Sequence, residues 1–207
     1  NHDRFVREVD HAIVQSREAG AGAVAIFELQ RLPRLLQTLD PDAARDFMRV
    51  VAERFVASTR TVYRVVRLRS QTQKGAMPAR LSTAEFAVFV PELSAQGDAA
   101  RFAQHLNAAL NQTFEWRGHK LTLGSCSGVA LAPLDGRDAE TVVRHARMAM
   151  AAATNVPARV KVFTQSLDRE AVARVTLERE MRGALERNEF RAYFQPKINV
   201  ATGRVEG

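Results

Sequence analysis

The residues best placed to do chemistry lie at the ends of two apolar segments. Residues 82–85, Ser-Thr-Ala-Glu, form a polar turn that leads into the β-prone segment 86–90, Phe-Ala-Val-Phe-Val. Glu28 stands near the end of another short apolar run, 22–29, which is typical of a central strand covered on both faces. Polar groups at the mouth of a buried strand commonly build a phosphate or metal site. Both strand ends are therefore candidate places for a phosphate or metal site.

The elements that must position these residues follow from apolar spacing and from helix-capping and turn signals. The pattern predicts an α+β domain with an antiparallel-rich sheet and helices packed on it. The predicted helices are 1–19, 40–57, 99–110, 138–153 and 166–188. The predicted strands are 22–29, 61–68, 86–91 after the turn at 82–85, 113–123 as a hairpin, 125–133 and 159–163.

Composition limits the classes of function. The chain has 207 residues, enough for one domain and part of another, and no apolar run reaches the roughly 20 residues of a membrane span. The single cysteine, Cys126, excludes an internal disulfide and a cysteine-based zinc site, which suits a reducing cytoplasm. The net charge of +7 comes mainly from arginines spread along the chain, which indicates a solvated surface. A nucleic-acid-binding surface is the remote alternative.

The stretch from Arg80 to Pro91 resembles the signature hairpin of the GGDEF family, the diguanylate cyclases. Only Glu85 and Phe86 match the signature. In that family two glycines let GTP lie against the backbone and the acid after them holds a catalytic metal. The corresponding residues here are Ser82, Thr83 and Ala84.

Two further stretches carry the same resemblance. Residues 1–5, Asn-His-Asp-Arg-Phe, are similar to the family's Asn-Arg-x-x-Phe, and residues 126–130, Cys-Ser-Gly-Val-Ala, are similar to its Ser-Ile-Gly-Val-Ala. The resemblance covers residues 1–163. It implies a nucleotidyl-cyclase-like fold with a ferredoxin-like core, in which helices flank a central, mostly antiparallel sheet.

The resemblance also identifies site positions, and most of them are changed. Glu28 stands where the family carries its other metal carboxylate and is a residual metal candidate. Leu36 and Arg45 stand where the family reads guanine, and neither offers the hydrogen bonds that those positions supply. Ala84 cannot bind Mg²⁺. We therefore expect no catalytic residue and no cofactor for this chain.

The two surviving acids also have simpler interpretations. Glu85 could satisfy backbone donors within its turn, and Glu28 could pair with one of the many arginines. Both interpretations are structural and need no ligand.

The C-terminal segment resembles the start of an EAL domain, the cyclic di-GMP phosphodiesterase family. The matching residues are Leu177, Glu178, Phe190, Tyr193, Gln195, Pro196 and Lys197. We therefore divide the chain into a degenerate GGDEF domain, 1–163, and a linker helix with the first strands of a truncated EAL domain, 164–207. In EAL domains the residue at the Gln195 position contacts the bound dinucleotide, and an intact EAL domain would need Mg²⁺.

These observations predict a catalytically inactive GGDEF domain that acts as a regulatory, signal-transmitting module in a cytoplasmic GGDEF–EAL protein. The expected partners are the remainder of its EAL domain, an upstream sensor domain and a second copy of the chain, with neither nucleic acid nor a membrane. The alternative is a sensor domain that binds GTP without turning it over.

Overall fold

The computed structural model describes residues 2–15, 22–66, 75–93, 95–154 and 156–205. The chain separates into two compact units, Asn1–Asp168 and Arg169–Gly207. The elements in chain order are α1 (His2–Gln15), β1 (Gly22–Leu29), α2 (Leu32–Gln37), α3 (Pro41–Val66), β2 (Met77–Arg80), β3 (Glu85–Pro91), α4 (Gln96–Leu110), β4 (Phe114–Trp116), β5 (His119–Leu121), β6 (Ser125–Ala132), α5 (Ala139–Ala153), β7 (Val160–Val162) and α6 (Gln165–Glu186).

A five-stranded sheet with the order β2-β3-β1-β6-β7 forms the centre of the first unit. The central strand β1 is antiparallel to β3 and β6, and only β7 runs parallel to its neighbour β6. Strands β4 and β5 form a separate hairpin that turns at Arg117 and Gly118, as predicted. The sheet is thus mostly antiparallel, which confirms the predicted α+β architecture.

Helices cover both faces of the sheet, which explains why β1 is apolar along almost its whole length. Ala25 and Phe27 belong to a core shared with α3 and α4, whereas Val24 and Ile26 belong to a core shared with α1 and α5. Glu28 is two residues beyond Ile26, so its side chain projects from the same face of the sheet as Val24 and Ile26. It therefore lies on the α1/α5 face of the sheet.

Residues 61–66 are helical, so the strand predicted for 61–68 is wrong there; residues 67 and 68 lie outside the described part. This segment is rich in β-prone residues, but Val62 is buried and continues the helical spacing of Val51 and Phe55. Burial on one face of a 26-residue helix therefore outweighed the local preference. The same helix was predicted to end at residue 57, nine residues too early.

Helix α5 packs directly onto the backbone of β6 at Gly128. A Cβ atom on Gly128 would lie 2.0 Å from Met150 N and 2.1 Å from Ala146 O. Both of these are backbone atoms of α5, so neither can rotate away. This close approach places α5 directly over the sheet face that carries Glu28.

The second unit holds most of α6 and the segment after it. Residues 189–197 contain no strand, and within the described residues the only pairing of this tail is an isolated bridge between Ile198 and Val205. The strand predicted here from the EAL resemblance is therefore not formed. A strand is defined by backbone hydrogen bonds to a neighbour, and the described chain offers this segment none.

Within the described residues, no helix is both long enough and apolar enough to cross a lipid bilayer. The first helix was predicted to extend to residue 19; it is described as far as Gln15, and residues 16–19 lie outside the described part.

Candidate functional site

The fold brings the two candidate acids together. The strands β1 and β3 are antiparallel, so the end of β1 meets the start of β3, and Glu28 is the register partner of Glu85. Directly opposed residues in a sheet project from the same face with their Cβ atoms about 5 Å apart. The backbone N–H of Leu29 donates to the Ala84 carbonyl at 3.0 Å, which ties the turn to the end of β1. The end of β1 and the turn before β3, which the sequence suggested separately, therefore form a single candidate site.

The turn at 82–85 is closed by its own hydrogen bonds. Ser82 Oγ accepts from the Glu85 N–H at 3.2 Å, and the N–H groups of Leu81 and Ser82 donate to the Glu85 carbonyl at 2.9 and 3.2 Å. Three N–H groups of this turn are therefore already bonded within it. Ser82 and Thr83 are both exposed residues.

The Glu85 side chain pairs with an arginine of α5. Arg147 Nε lies 3.1 Å from Glu85 Oε2, and both side chains are partly buried. The prediction that this carboxylate satisfies turn donors is wrong, because Ser82 Oγ and the Glu85 carbonyl perform that role. The carboxylate instead joins the turn to the helix that covers the sheet face.

Glu28 contacts a buried thiol. Cys126 Sγ lies 3.7 Å from Glu28 Oε2 and 3.9 Å from Thr154 Oγ1, and burial raises the pKa of the thiol. Among the described residues no arginine forms an ion pair with Glu28, so the predicted arginine partner is not found there. The neutral thiol is a weak donor to the carboxylate.

A polar chain continues from the thiol to the loop before β7. Gln30 Nε2 lies 3.8 Å from Cys126 Sγ, and Gln30 Oε1 accepts from Arg159 Nη1 at 3.2 Å. The buried side chain of Asn107 fixes the other end, because its Nδ2 donates to the Arg159 carbonyl at 2.9 Å. Side chains of Gln30 and Arg159 therefore border the end of β1.

The donor set around Glu28 and Glu85 does not fit a divalent cation. Mg²⁺ prefers near-octahedral coordination by oxygen, commonly with one or two carboxylates. Here Ala84 contributes a methyl group, Glu85 is paired with Arg147, and Glu28 faces the Cys126 thiol. In the described part of the chain, no three His, Cys, Asp or Glu side chains cluster closely enough to hold a metal ion.

The two predicted base-reading positions lie on neighbouring helices. Leu36 of α2 is half-buried and packs against the α3/α4 core. Arg45 of α3 is exposed and pairs with Asp42 one turn earlier. One side chain is thus part of the core, and the other is a charge in a local surface pair.

Gln195 belongs to the second unit. Its side chain is exposed, in the segment that forms neither helix nor strand. Its role as a dinucleotide contact stays a prediction.

Sequence reasoning missed Arg147 and Asn107. Arg147 interrupts the small, apolar sequence Ala146 to Ala153 of α5, and a charge among residues of that kind was the available signal. Asn107 lies on the buried face of α4 among alanine, phenylalanine and leucine, and a polar residue there must have a partner.

The comparison with known families identifies this architecture. Residues 61–158 match the family model described as "Diguanylate cyclase, GGDEF domain". The match confirms the resemblance carried by the hairpin and by residues 126–130.

Individual relatives agree with the family match. An uncharacterized signaling protein of Caulobacter vibrioides is 34% identical over 146 residues, which are 68% of this chain and 18% of that protein. The cyclic di-GMP phosphodiesterase NbdA of Pseudomonas aeruginosa is 25% identical over 206 residues, 97% of this chain and 24% of that protein. This chain thus spans about a quarter or less of these two relatives.

The solved structures show the same fold. A sensory box/GGDEF family protein from Caulobacter crescentus superposes with a TM-score of 0.59 at 25% identity, covering 74% of this chain and 92% of that one.

Proposed function

Because this chain contains a GGDEF domain, we propose that it acts as a catalytically inactive regulatory module, which passes a signal to an attached phosphodiesterase or receptor domain for cyclic di-GMP. The observation that carries the proposal is the pairing of Glu85 with Arg147 beside Ala84. The remaining acid of the signature is committed to a structural partner, and its neighbour has no ligand atom.

Cyclase chemistry joins two GTP molecules through attack of a ribose 3′-hydroxyl on an α-phosphate. It requires metal-bound charge stabilisation and a backbone that phosphate can approach. The side chains of Ser82 and Thr83 replace the glycines that give this access. No reaction step can be assigned to the residues at the turn.

The positions for guanine support the same proposal. Leu36 has no polar side-chain atom, and Arg45 has only donors. A base edge that needs a side-chain acceptor finds none at these two positions.

The proposed setting within a larger protein rests on relatives. NbdA aligns with 97% of this chain, including the segment that resembles the start of an EAL domain, and its name describes a cyclic di-GMP phosphodiesterase. We propose that helix α6 leads to such a domain and that Gln195 contacts its dinucleotide. An intact domain of that type would supply its own Mg²⁺ site.

A second candidate function is a sensor that binds GTP without turnover. The exposure of Ser82 and Thr83 favours it, because these residues stand where the family places GTP against the backbone. Calorimetric titration of the chain with GTP and Mg²⁺, and separately with cyclic di-GMP, distinguishes the two. The inactive-module proposal predicts no heat of binding with GTP, and micromolar binding would favour the sensor.

Titration with ATP is the control for this measurement. Equal binding of GTP and ATP would show contact through phosphate alone, whereas preference for GTP would show a base pocket despite Leu36 and Arg45. Catalysis itself is tested separately, by an assay for cyclic di-GMP synthesis from GTP with Mg²⁺ or Mn²⁺.

A further inference from the structure

Three segments that are distant in sequence meet at the N-terminal half of α5. They are α1, the loop at 133–138, and the residues that lead from β7 into α6. We call this contact the α5 junction and define it by Asp10, Asp135, Ala139, His145 and Phe163.

The first contact joins α1 to α5. The Asp10 carboxylate accepts a hydrogen bond from the Ala139 N–H through Oδ1 at 2.6 Å. The first N–H groups of a helix have no partner within it, and the N-cap Asp138 already accepts from Thr141 N at 2.8 Å. Asp10 satisfies another of these donors from a different helix. The first turn of α5 is therefore completed by α1.

The second contact joins α5 to the residues before α6. His145 Nδ1 lies 2.5 Å from the Asp135 carbonyl oxygen, which can only accept, so Nδ1 carries the proton. The imidazole stacks on the Phe163 ring with the centroids 4.0 Å apart and an angle of 6°. One side chain therefore holds the loop before α5 and packs against the segment after β7.

The third contact fixes the start of α6. Phe163 N–H donates to the Val129 carbonyl at 2.7 Å, and Leu167 N–H donates to the Thr164 carbonyl at 2.9 Å. Phe163 and Leu167 are buried in the same core as Phe5 and Val9 of α1. The first turn of α6 is thus packed into the core that α1 covers.

We propose that the α5 junction couples the stability of α1 to that of the first turn of α6. This proposal rests on the proposed function, since it describes how a change at α1 would reach the helix that leads out of the domain. The coupling acts through local opening and not through sliding of α5, because the contact of α5 with Gly128 leaves no space between helix and strand.

The physical link is the shared first turn of α5. Without the Asp10 acceptor, the Ala139 N–H is left without its partner and the first turn opens more often. Opening displaces the adjoining loop, and with it the Asp135 carbonyl that orients His145. The stacked Phe163 ring then loses one of its packing partners, and the amides at 163–168 exchange faster.

The test is hydrogen exchange measured by mass spectrometry on the ligand-free 207-residue chain. We expect Asp10→Ala to speed exchange at 163–168 by about five-fold, the size of effect that loss of a helix-capping acceptor produces. Asp10→Asn retains a carbonyl acceptor for Ala139 N–H and should leave that exchange near the wild-type rate. Glu8→Ala removes an exposed acid from the same helix and is the matched control.

Faster exchange confined to α1 and residues 139–142 in Asp10→Ala would overturn the proposal. Equal acceleration by Glu8→Ala would also overturn it, since the effect would then be a general loosening of α1. If Asp10→Ala fails to fold, His145→Ala replaces it. That variant should speed exchange at 163–168 with α1 unchanged, and an unchanged rate at 163–168 would contradict the coupling.

The outcome of the exchange experiment does not depend on whether the domain is catalytically inactive. It uses no nucleotide, so synthesis of cyclic di-GMP by the chain would refute inactivity and leave the exchange result standing.

Discussion

Arg147 Nε lies 3.1 Å from Glu85 Oε2, across 62 residues of sequence. The pair joins α5 to the turn that resembles the cyclase signature. Glu85 is also the register partner of Glu28, so the arginine offsets repulsion between two acids on one face of the sheet. At this point the GGDEF fold is held by an ion pair between protein side chains.

The first prediction concerns this ion pair. Arg147→Met should lower the free energy of unfolding by about 1 kcal/mol, because the pair is partly buried and Glu85 would be left facing Glu28. Urea denaturation at neutral pH measures the change. Arg144→Met, at an exposed position on the same helix, should stay within about 0.5 kcal/mol of wild type.

A double-mutant cycle with Glu85→Gln separates the pair from other effects of the substitution. The account predicts that the two changes are not additive. Strict additivity would show that Arg147 and Glu85 do not stabilise each other.

The second prediction concerns the contact between α5 and β6. Gly128→Ala should destabilise the chain by about 3 kcal/mol or more, since its Cβ would lie 2.0 Å from a backbone nitrogen that cannot rotate away. Thermal or urea unfolding measures the loss. Gly97→Ala is the control, because Gly97 lies in α4 and, apart from the adjoining backbone of that helix, no atom lies within 4 Å of the added carbon. It should be neutral or stabilise by up to about 1 kcal/mol. Equal stability of the two variants would refute the close packing.

The fold was largely predictable because its strongest signals are local. The apolar segments at 22–29 and 86–90 and the turn at Arg117–Gly118 formed as predicted. Residues 61–66 were mispredicted because the buried position of Val62 depends on the core and not on neighbouring residues.

The site was predictable only in part. Glu28 and Glu85 were identified from their places at two strand ends and from the family resemblance, and the register of β1 and β3 brings them together. Nothing in the sequence pairs Arg147 with Glu85 or Cys126 with Glu28, because each contact crosses between elements far apart in the chain.

The third prediction concerns the N-cap of α5. Hydrogen bonds from the Thr141 backbone N–H and hydroxyl lower the pKa of Asp138 below its ordinary value. A lowered folded-state pKa adds stability above the unfolded pKa, and this stability is lost as pH falls through the folded value. Asp138→Ala should therefore cost about 1 kcal/mol at pH 7.

The difference between Asp138→Ala and wild type should shrink as the pH falls below about 4, the ordinary range of an aspartate. Urea unfolding at a series of pH values measures it. A difference that is constant down to acid pH would argue against the capping role of the carboxylate.

The fourth prediction concerns Asp135, three residues before Asp138, whose pKa is shifted in the opposite direction. Burial raises the pKa of Asp135, against the effect of the hydrogen bond that it accepts from Leu131 N–H at 2.7 Å. The folded state then binds a proton more tightly than the unfolded chain, so this group favours folding at low pH and the advantage is lost as pH rises through the folded pKa. Asp135→Asn, which retains an acceptor for Leu131, should be at least as stable as wild type at pH 7.

The same pH series tests this variant. The relative stability of Asp135→Asn should fall as the pH is lowered and the wild-type carboxyl becomes protonated. A loss of stability at pH 7 that disappears in acid would contradict the direction of the shift.

The measurement that tests the central claim most directly is synthesis of cyclic di-GMP by this chain. Purified protein is incubated with GTP and either Mg²⁺ or Mn²⁺, and the product is separated by chromatography beside an active cyclase. We predict no product above the enzyme-free background, because Ala84 has no ligand atom and Glu85 is paired with Arg147. Product formation that increases with protein concentration would contradict the account and identify the chain as a cyclase.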